Sequence, residues 1–235
     1  MKKTSRGRPR ARRPCSAEVR RVPRPSSPIL SPEIIGDAGL ALSRAGEPFG
    51  VNAIARHLGV RPSSLYNHVG GMDGIVELMR ARLLVAYPVE LPRERWDDYV
   101  VTMLRAQREM YAEHPRLVPL LVGTTTSSPP VIDAYDDLAT ILATAGFPEG
   151  EILSIIAVLD AFAIGFGLDL AAPDDIWQPR EETRTLGRLL ESSERGRARA
   201  DLTFEIGISA LIDAFRMRLA ATKKGAQASA AAVDR

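Results

Sequence analysis

The chain has 235 residues, 45% of them hydrophobic, enough to bury a sizeable core in one or two domains. Its one cysteine, Cys15, excludes an internal disulfide and any zinc site built on several cysteines, and fits a reducing cytoplasm. His57, His68 and His114 stand far apart with no metal-ligand spacing, and no uninterrupted apolar run of about 18 residues is present. Neither a metal, a cofactor nor a membrane partner is therefore expected.

The net charge of +2 is unevenly spread. Residues 1–28 hold ten basic residues against one acid, Glu18, a charge of +9 that leaves −7 on residues 29–235. This tail is rich in Arg, Pro and Ser, nearly free of large apolar residues, and reads as disordered. It lacks the apolar stretch of a secretory signal. Its charge suits a polyanion, most simply nucleic acid. Within it, RGRPR resembles the core of an AT-hook, in which arginines flank a Gly-Arg-Pro segment in a narrow A·T minor groove. Arg6, Arg8 and Arg10 are thus candidate DNA contacts; the alternative is a nonspecific basic arm.

The rest of the chain reads as all-α. Ser31-Pro32 supplies a capping hydroxyl and a first-turn proline, and Ile34, Ile35, Ala38, Leu42 and Ala45 follow helical spacing up to Gly46. Helices are expected over 51–58, from Pro62, and over 73–86, with Pro88 and Pro92 closing an N-terminal domain of residues 29–88. A second helical domain, 89–222, is predicted from helices over 96–114, 117–122, 130–145, 149–170 and 201–219. Residues 172–199 read as a long polar loop with one helix near 181–191, and 223–235 as a fraying, disordered tail. No strand alternation or repeat is present.

The stretch LGVRPSSLYNHVGG fits a helix-turn-helix. Ile54, Leu58, Val60 and Leu65 supply the buried faces, Ala55 is small where the helices cross, and Gly59 suits the turn. Arg61, Pro62, Ser63, Ser64, Tyr66, Asn67 and His68 are left at the tip and outer face of the second helix, from which side chains reach a major groove. An ordinary helical corner with polar solvent-facing residues is the alternative. A hydrolase reading of the serines and His68 lacks a local carboxylate and a Gly-x-Ser-x-Gly elbow, so no enzyme is expected.

The segment FGVNAIARHLGVRPSSLYNHVGGMDGIVELM resembles the DNA-binding domain of the tetracycline-repressor (TetR) family. YDDLATILATAGFPEGEILSIIAVLDAFAIGFGLDL and FEIGISALIDAF resemble the core and final helix of its C-terminal domain. The resemblance implies that Pro62, Ser63, Tyr66 and Asn67 face bases or adjacent backbone, that Ser64, Tyr66 and His68 contact phosphates, and that Asn52 is a further base reader. The chain departs from the family pattern at Gly50, where a Ser or Thr usually starts the second helix, and at Met72, where a Lys usually follows.

The same resemblance implies a homodimer on a palindromic operator, paired through a four-helix bundle. Leu153, Ile156, Ala157, Asp160, Ala161, Ile164, Phe204, Ile208, Leu211, Ile212 and Phe215 are candidates for that interface or for the monomer core. An effector pocket would draw on Met103, Met110, Leu121, Thr124, Phe162, Phe166, Asp169 and Trp177, and would suit a small hydrophobic or aromatic ligand. Asp169 matches an acidic position near the drug-bound magnesium of tetracycline repressors, yet Leu121 and Pro88 replace two of their drug-site histidines, which does not support a tetracycline–magnesium site. Two readings stay open: a cytoplasmic repressor released by an effector, and a DNA-binding protein whose C-terminal domain only dimerises.

Overall fold

The computed structural model describes residues 30–233, so Arg6, Arg8 and Arg10 lie outside the described residues. Those described form ten helices and no strand: α1 (Pro32–Arg44), α2 (Val51–His57), α3 (Pro62–Tyr66), α4 (Met72–Ala86), α5 (Trp96–Glu113), α6 (Val118–Gly123), α7 (Pro129–Ala145), α8 (Glu149–Leu170), α9 (Arg184–Ser192) and α10 (Gly196–Val233).

The N-terminal unit is α1–α4. The Ile34 N–H donates to the Ser31 hydroxyl at 3.3 Å, and Pro32 opens the helix, as its sequence predicts. A close crossing of α1 on α4 holds the unit together. A Cβ added at Gly36 would lie 2.9 Å from the Leu78 carbonyl oxygen, and one at Gly39 would lie 2.7 Å from the Met79 sulfur. Only glycine lets the two backbones approach this far. Under α2 and α3, Ile54, Ala55 and Leu65 are fully buried, and Gly59 takes the left-handed backbone (φ 68°) that the turn needs.

Two apolar clusters make up the core. One joins Ile35, Ile54, Leu65, Ile75 and Met79 to Met110 of α5, Leu117 just ahead of α6 and Leu121 of α6, so it runs across the boundary expected near residue 88. The other packs α5, α7, α8 and α10 through Tyr99, Leu104, Leu142, Leu159, Phe204 and Ile212. At Gly167 a Cβ would meet Tyr111 Cβ at 2.5 Å, so α8 lies against α5 as closely as α1 lies on α4.

One expectation needs correction. α10 begins at Gly196 and continues through Val233, beyond the 201–219 span and into the tail expected to be disordered. Its last turns are alanine-rich, so they gain from helix propensity without showing an apolar period. α8, with mean hydropathy 2.0, is long and apolar enough by length and composition to cross a membrane, although Asp160 interrupts its apolar run. In the fold it packs along α5, α7 and α10 and buries Ile152, Ile155, Ile156, Leu159 and Ala163.

Candidate nucleic-acid interface and interior site

Residues 48–72 contain no Asp or Glu, although the chain beyond residue 28 is acidic overall. On this stretch Arg61, Pro62, Ser63, Tyr66, Asn67 and His68 are exposed, and Ser64 is half-buried. Tyr66 keeps 59% of its surface free although Leu65, its neighbour, keeps none. Asn52 is exposed on α2, and Arg56 and His57 beside it join the same surface. Sequence reasoning missed these two; their place four and five residues after Asn52 was the available signal. Gly50 gives α2 no side-chain cap, and Gly71 gives none to α4.

α4 connects this surface to the interior. Arg80 Nη2 donates to the Leu121 carbonyl and the Thr124 hydroxyl, each at 2.8 Å, and to the Thr124 carbonyl at 3.2 Å. One turn earlier, Glu77 accepts from the Ser127 N–H at 2.7 Å, the Thr126 hydroxyl at 3.0 Å and the Ser128 N–H at 2.5 Å. Burial alone would push the Glu77 carboxyl up; these donors and Arg80 outweigh it and hold the group below its ordinary range. Residues 124–128 between α6 and α7 are thus gripped from α4.

A second tie joins the ends of α1, α4 and α5. The Tyr87 hydroxyl accepts from Arg44, donates to Glu113 at 2.7 Å and lies 3.0 Å from His114 Nε2. His114 is buried, and its Nδ1 has no hydrogen-bond partner among the described residues.

The candidate effector residues do not gather in one pocket. Met103 belongs to the α5–α8 core, whereas Met110 and Leu121 belong to the cluster shared with α1–α4. Thr124 is held by Arg80. Phe162 and Phe166 pack together (centroids 4.4 Å apart) and against Phe204. Asp169 pairs with Arg199 of α10 at 3.0 Å, which explains an acid at the end of an apolar helix without a ligand. Trp177 is half-exposed and lines a surface cleft of about 800 Å³ between residues 174–183 and α9, which reaches Arg199, the partner of Asp169, and contains none of the other candidates.

The interface candidates also need correction. Ile156, Phe204, Ile208, Ile212 and Phe215 are core residues of a single chain, and Ile164 and Leu211 are half-buried. Asp160 accepts from the Tyr135 hydroxyl at 2.9 Å and so points toward α7. Leu153, Ala157 and Ala161 remain on the free face of α8, with Val158, Gly165 and Leu168 beside them. The free face of α10 carries Leu202, Ile206, Ala210, Ala214 and Met217. α8 is apolar almost all round, so its periodicity did not reveal which side turns inward.

Residues 87–216 match the family model described as tetracyclin repressor-like, C-terminal domain. The HTH-type transcriptional repressor DrrR1 of Streptomyces coeruleorubidus is 25% identical over 170 residues, 71% of this chain and 61% of that protein. An uncharacterized HTH-type transcriptional regulator of Mycobacterium tuberculosis is 35% identical over 115 residues, 46% of this chain and 50% of that protein. The chain therefore spans less than two thirds of the length of these relatives. The fold is that of apo ActR from Streptomyces coelicolor (TM-score 0.68, 19% identity, 85% of this chain and all of that one). It also matches ActR in complex with actinorhodin (TM-score 0.64, 20% identity, 79% and 94% of the two chains). With more than half of its residues matched to that C-terminal domain, and with a helix-turn-helix ahead of it, the chain belongs to the tetracycline-repressor family.

Proposed function

We propose that the protein is a homodimeric, sequence-specific DNA-binding transcriptional repressor of the cytoplasm, released from a palindromic operator by a small-molecule effector. The observation that carries this reading is the grip of Glu77 and Arg80 on residues 124–128. α4 starts beside α3 and ends on α5, so any ligand that shifts the α6–α7 segment also shifts the helix under the reading surface. Side chains of α3 suit base edges and phosphates: Arg61 for a guanine or phosphate, Asn67 for an adenine, Tyr66 and the serines for backbone oxygens. The acid-free stretch 48–72 removes repulsion from the DNA.

A second copy is needed for a palindrome. The free faces of α8 and α10 support pairing: Leu153, Ala157, Ala161, Gly165 and Leu168 recur at three- and four-residue spacing, as do Leu202, Ile206, Ala210, Ala214 and Met217. Small residues between large ones allow close helix approach. ActR, solved with actinorhodin, is a ligand-binding protein of the same fold. That parallel favours an effector-responsive protein over one whose C-terminal domain only dimerises.

Genomic footprinting with the full chain tests the reading. It should return a short set of sites with two-fold symmetric half-sites about one helical turn apart. By linkage, operator DNA must weaken effector binding by the factor with which effector weakens operator binding. Binding without half-site symmetry, or an effector affinity indifferent to operator, would remove the corresponding part of the reading.

A further inference from the structure

The tie around Tyr87 gathers the C-terminal ends of three helices. Arg44 is the last residue of α1, Tyr87 follows α4, and Glu113 ends α5 with His114 next to it. Arg44 also pairs with Glu113 at 2.7 Å, and Tyr87 meets the His114 ring edge-on with centroids 5.9 Å apart. The His114 carbonyl accepts from the Leu117 N–H at 2.9 Å, so the chain turns into α6 from the same point. α1 and α4 belong to the N-terminal unit, α5 and α6 to the C-terminal domain. His114 therefore sits at the joint between them.

This joint suits a neutral imidazole. His114 is 1% exposed, and among the described residues only the Tyr87 hydroxyl, 3.0 Å from Nε2, is within reach of its ring. In either tautomer a further proton gives the ring two N–H donors and a partner for one of them. The Tyr87 oxygen already accepts from Arg44 of α1, so the new cation would crowd an existing one. Glu113 of α5 takes the Tyr87 proton and pairs with Arg44. Asp37 of α1 lines the same cleft but is held by Arg82 of α4 at 2.6 Å. Arg116, in the turn after His114, is exposed, and α6 carries no titratable residue. Burial first, then Arg44, lower the His114 pKa against the pull of Glu113. A cleft of about 200 Å³, lined by Leu40, Arg44, Ala86, Tyr87 and His114, brings solvent to the joint.

We infer that His114 is a proton-operated latch: its protonation frees α1 and α4 from the end of α5, and the head loses the setting in which it reads DNA. The inference rests on the DNA-binding reading above and adds a second input, pH, that needs no effector. Opening the joint gives the charged ring water and distance from Arg44. α4 starts beside α3, so a change at its far end reaches the reading surface.

By linkage, DNA that holds the joint closed must also hold the proton off His114. NMR titration of the three imidazole signals of the full chain, with and without a duplex carrying a footprinted site, reads this directly. The His114 midpoint should move to lower pH on adding DNA. Those of His57 and His68, exposed on the reading surface, should stay or move up, because phosphates favour their charged forms. The sign of the shift thus separates His114 from the others even without a variant. Anisotropy from about pH 7.5 to about pH 5.5 adds a second readout: the ratio of parent to His114→Gln affinity should fall about fivefold or more as pH drops. His57 and His68 are common to both chains and leave that ratio unchanged. A His114 midpoint that DNA leaves in place or raises, or a ratio constant with pH, overturns the latch and leaves the DNA reading intact. If the parent chain binds no footprinted site at any pH, both fall.

Discussion

Arg80 on α4 holds Thr124 twice, through the hydroxyl at 2.8 Å and the carbonyl at 3.2 Å. With its bond to the Leu121 carbonyl, this ties the helix under the reading surface to the segment between α6 and α7. Arg80→Met would leave those acceptors without their donor and Glu77 without its cation, and should cost about 2–4 kcal/mol. Thr124→Val removes the hydroxyl that accepts from Arg80 and donates to the Leu120 carbonyl, leaves the two carbonyl acceptors in place, and should cost about 1–2 kcal/mol. Urea denaturation of the two variants measures the difference. A loss below that of Thr124→Val in the Arg80 variant would mean that the grip carries no energy.

Tyr66 and Arg61 are exposed at the tip and face of α3. Alanine at either should leave stability within about 0.5 kcal/mol. Operator affinity should fall about tenfold or more, as expected for loss of a base or phosphate contact. Arg184→Ala, an equally exposed arginine on α9, serves as the control and should bind operator as the parent does. Fluorescence anisotropy at fixed salt gives both numbers, and equal losses in all three variants would place recognition elsewhere than on α3.

What could be read in the sequence was local. The cap at Ser31, the apolar period of α1, the Gly59 turn and the polar face of α3 all depend on residues within a few positions of each other. What escaped depends on long-range pairing. Asp160 and Tyr135 are 25 residues apart, Asp169 and Arg199 are 30 apart, and no local pattern links either pair. Ile208 and Ile212 gave the right apolar stripe but not the side it faces, because a core helix and an interface helix share one period.

Gly36 and Gly39 make a graded test of the α1–α4 crossing. Alanine in a helix gains about 1 kcal/mol over glycine, and overpacking costs about 1–3 kcal/mol. At Gly36 the new methyl would meet backbone, the Leu78 carbonyl oxygen at 2.9 Å, which cannot swing aside. At Gly39 it would meet the Met79 thioether, which can shift. Gly36→Ala should therefore be a net loss and Gly39→Ala closer to neutral. Thermal melts rank them; equal melting temperatures would show that α1 can slide on α4 freely.

His114 couples stability to pH. Burial first, then the charge of Arg44, depress its pKa below the usual 6.5, against the pull of Glu113. In the pH range between the depressed value and 6.5 the unfolded chain binds a proton that the folded chain does not. Stability is therefore full above about 6.5 and declines as pH falls toward the folded value. Asp37, Arg44, Tyr87 and Glu113 are the polar and charged groups that meet there from α1, α4 and α5. His114→Gln should flatten the stability slope below about pH 6.5. Chemical denaturation across that range checks it, and an unchanged slope would assign the dependence to other groups.

The basic tail should supply much of the DNA affinity. The acid-free stretch 48–72 offers only Arg56 and Arg61 as fixed cations, and Met72 stands where a lysine would reach a phosphate. Residues 1–28 carry +9 ahead of a body at −7. Each phosphate that the tail neutralises contributes about −0.9 to the slope of log K against log salt. Removing residues 1–28 should therefore flatten that slope by several units and lower operator affinity most at low salt, where counterion release is worth most. Sequence preference among half-sites should survive, because the side chains of α3 are untouched. Anisotropy titrations of the full and shortened chains across a salt series decide it. Equal slopes would leave the tail with no electrostatic part in binding and return the whole affinity to α2 and α3.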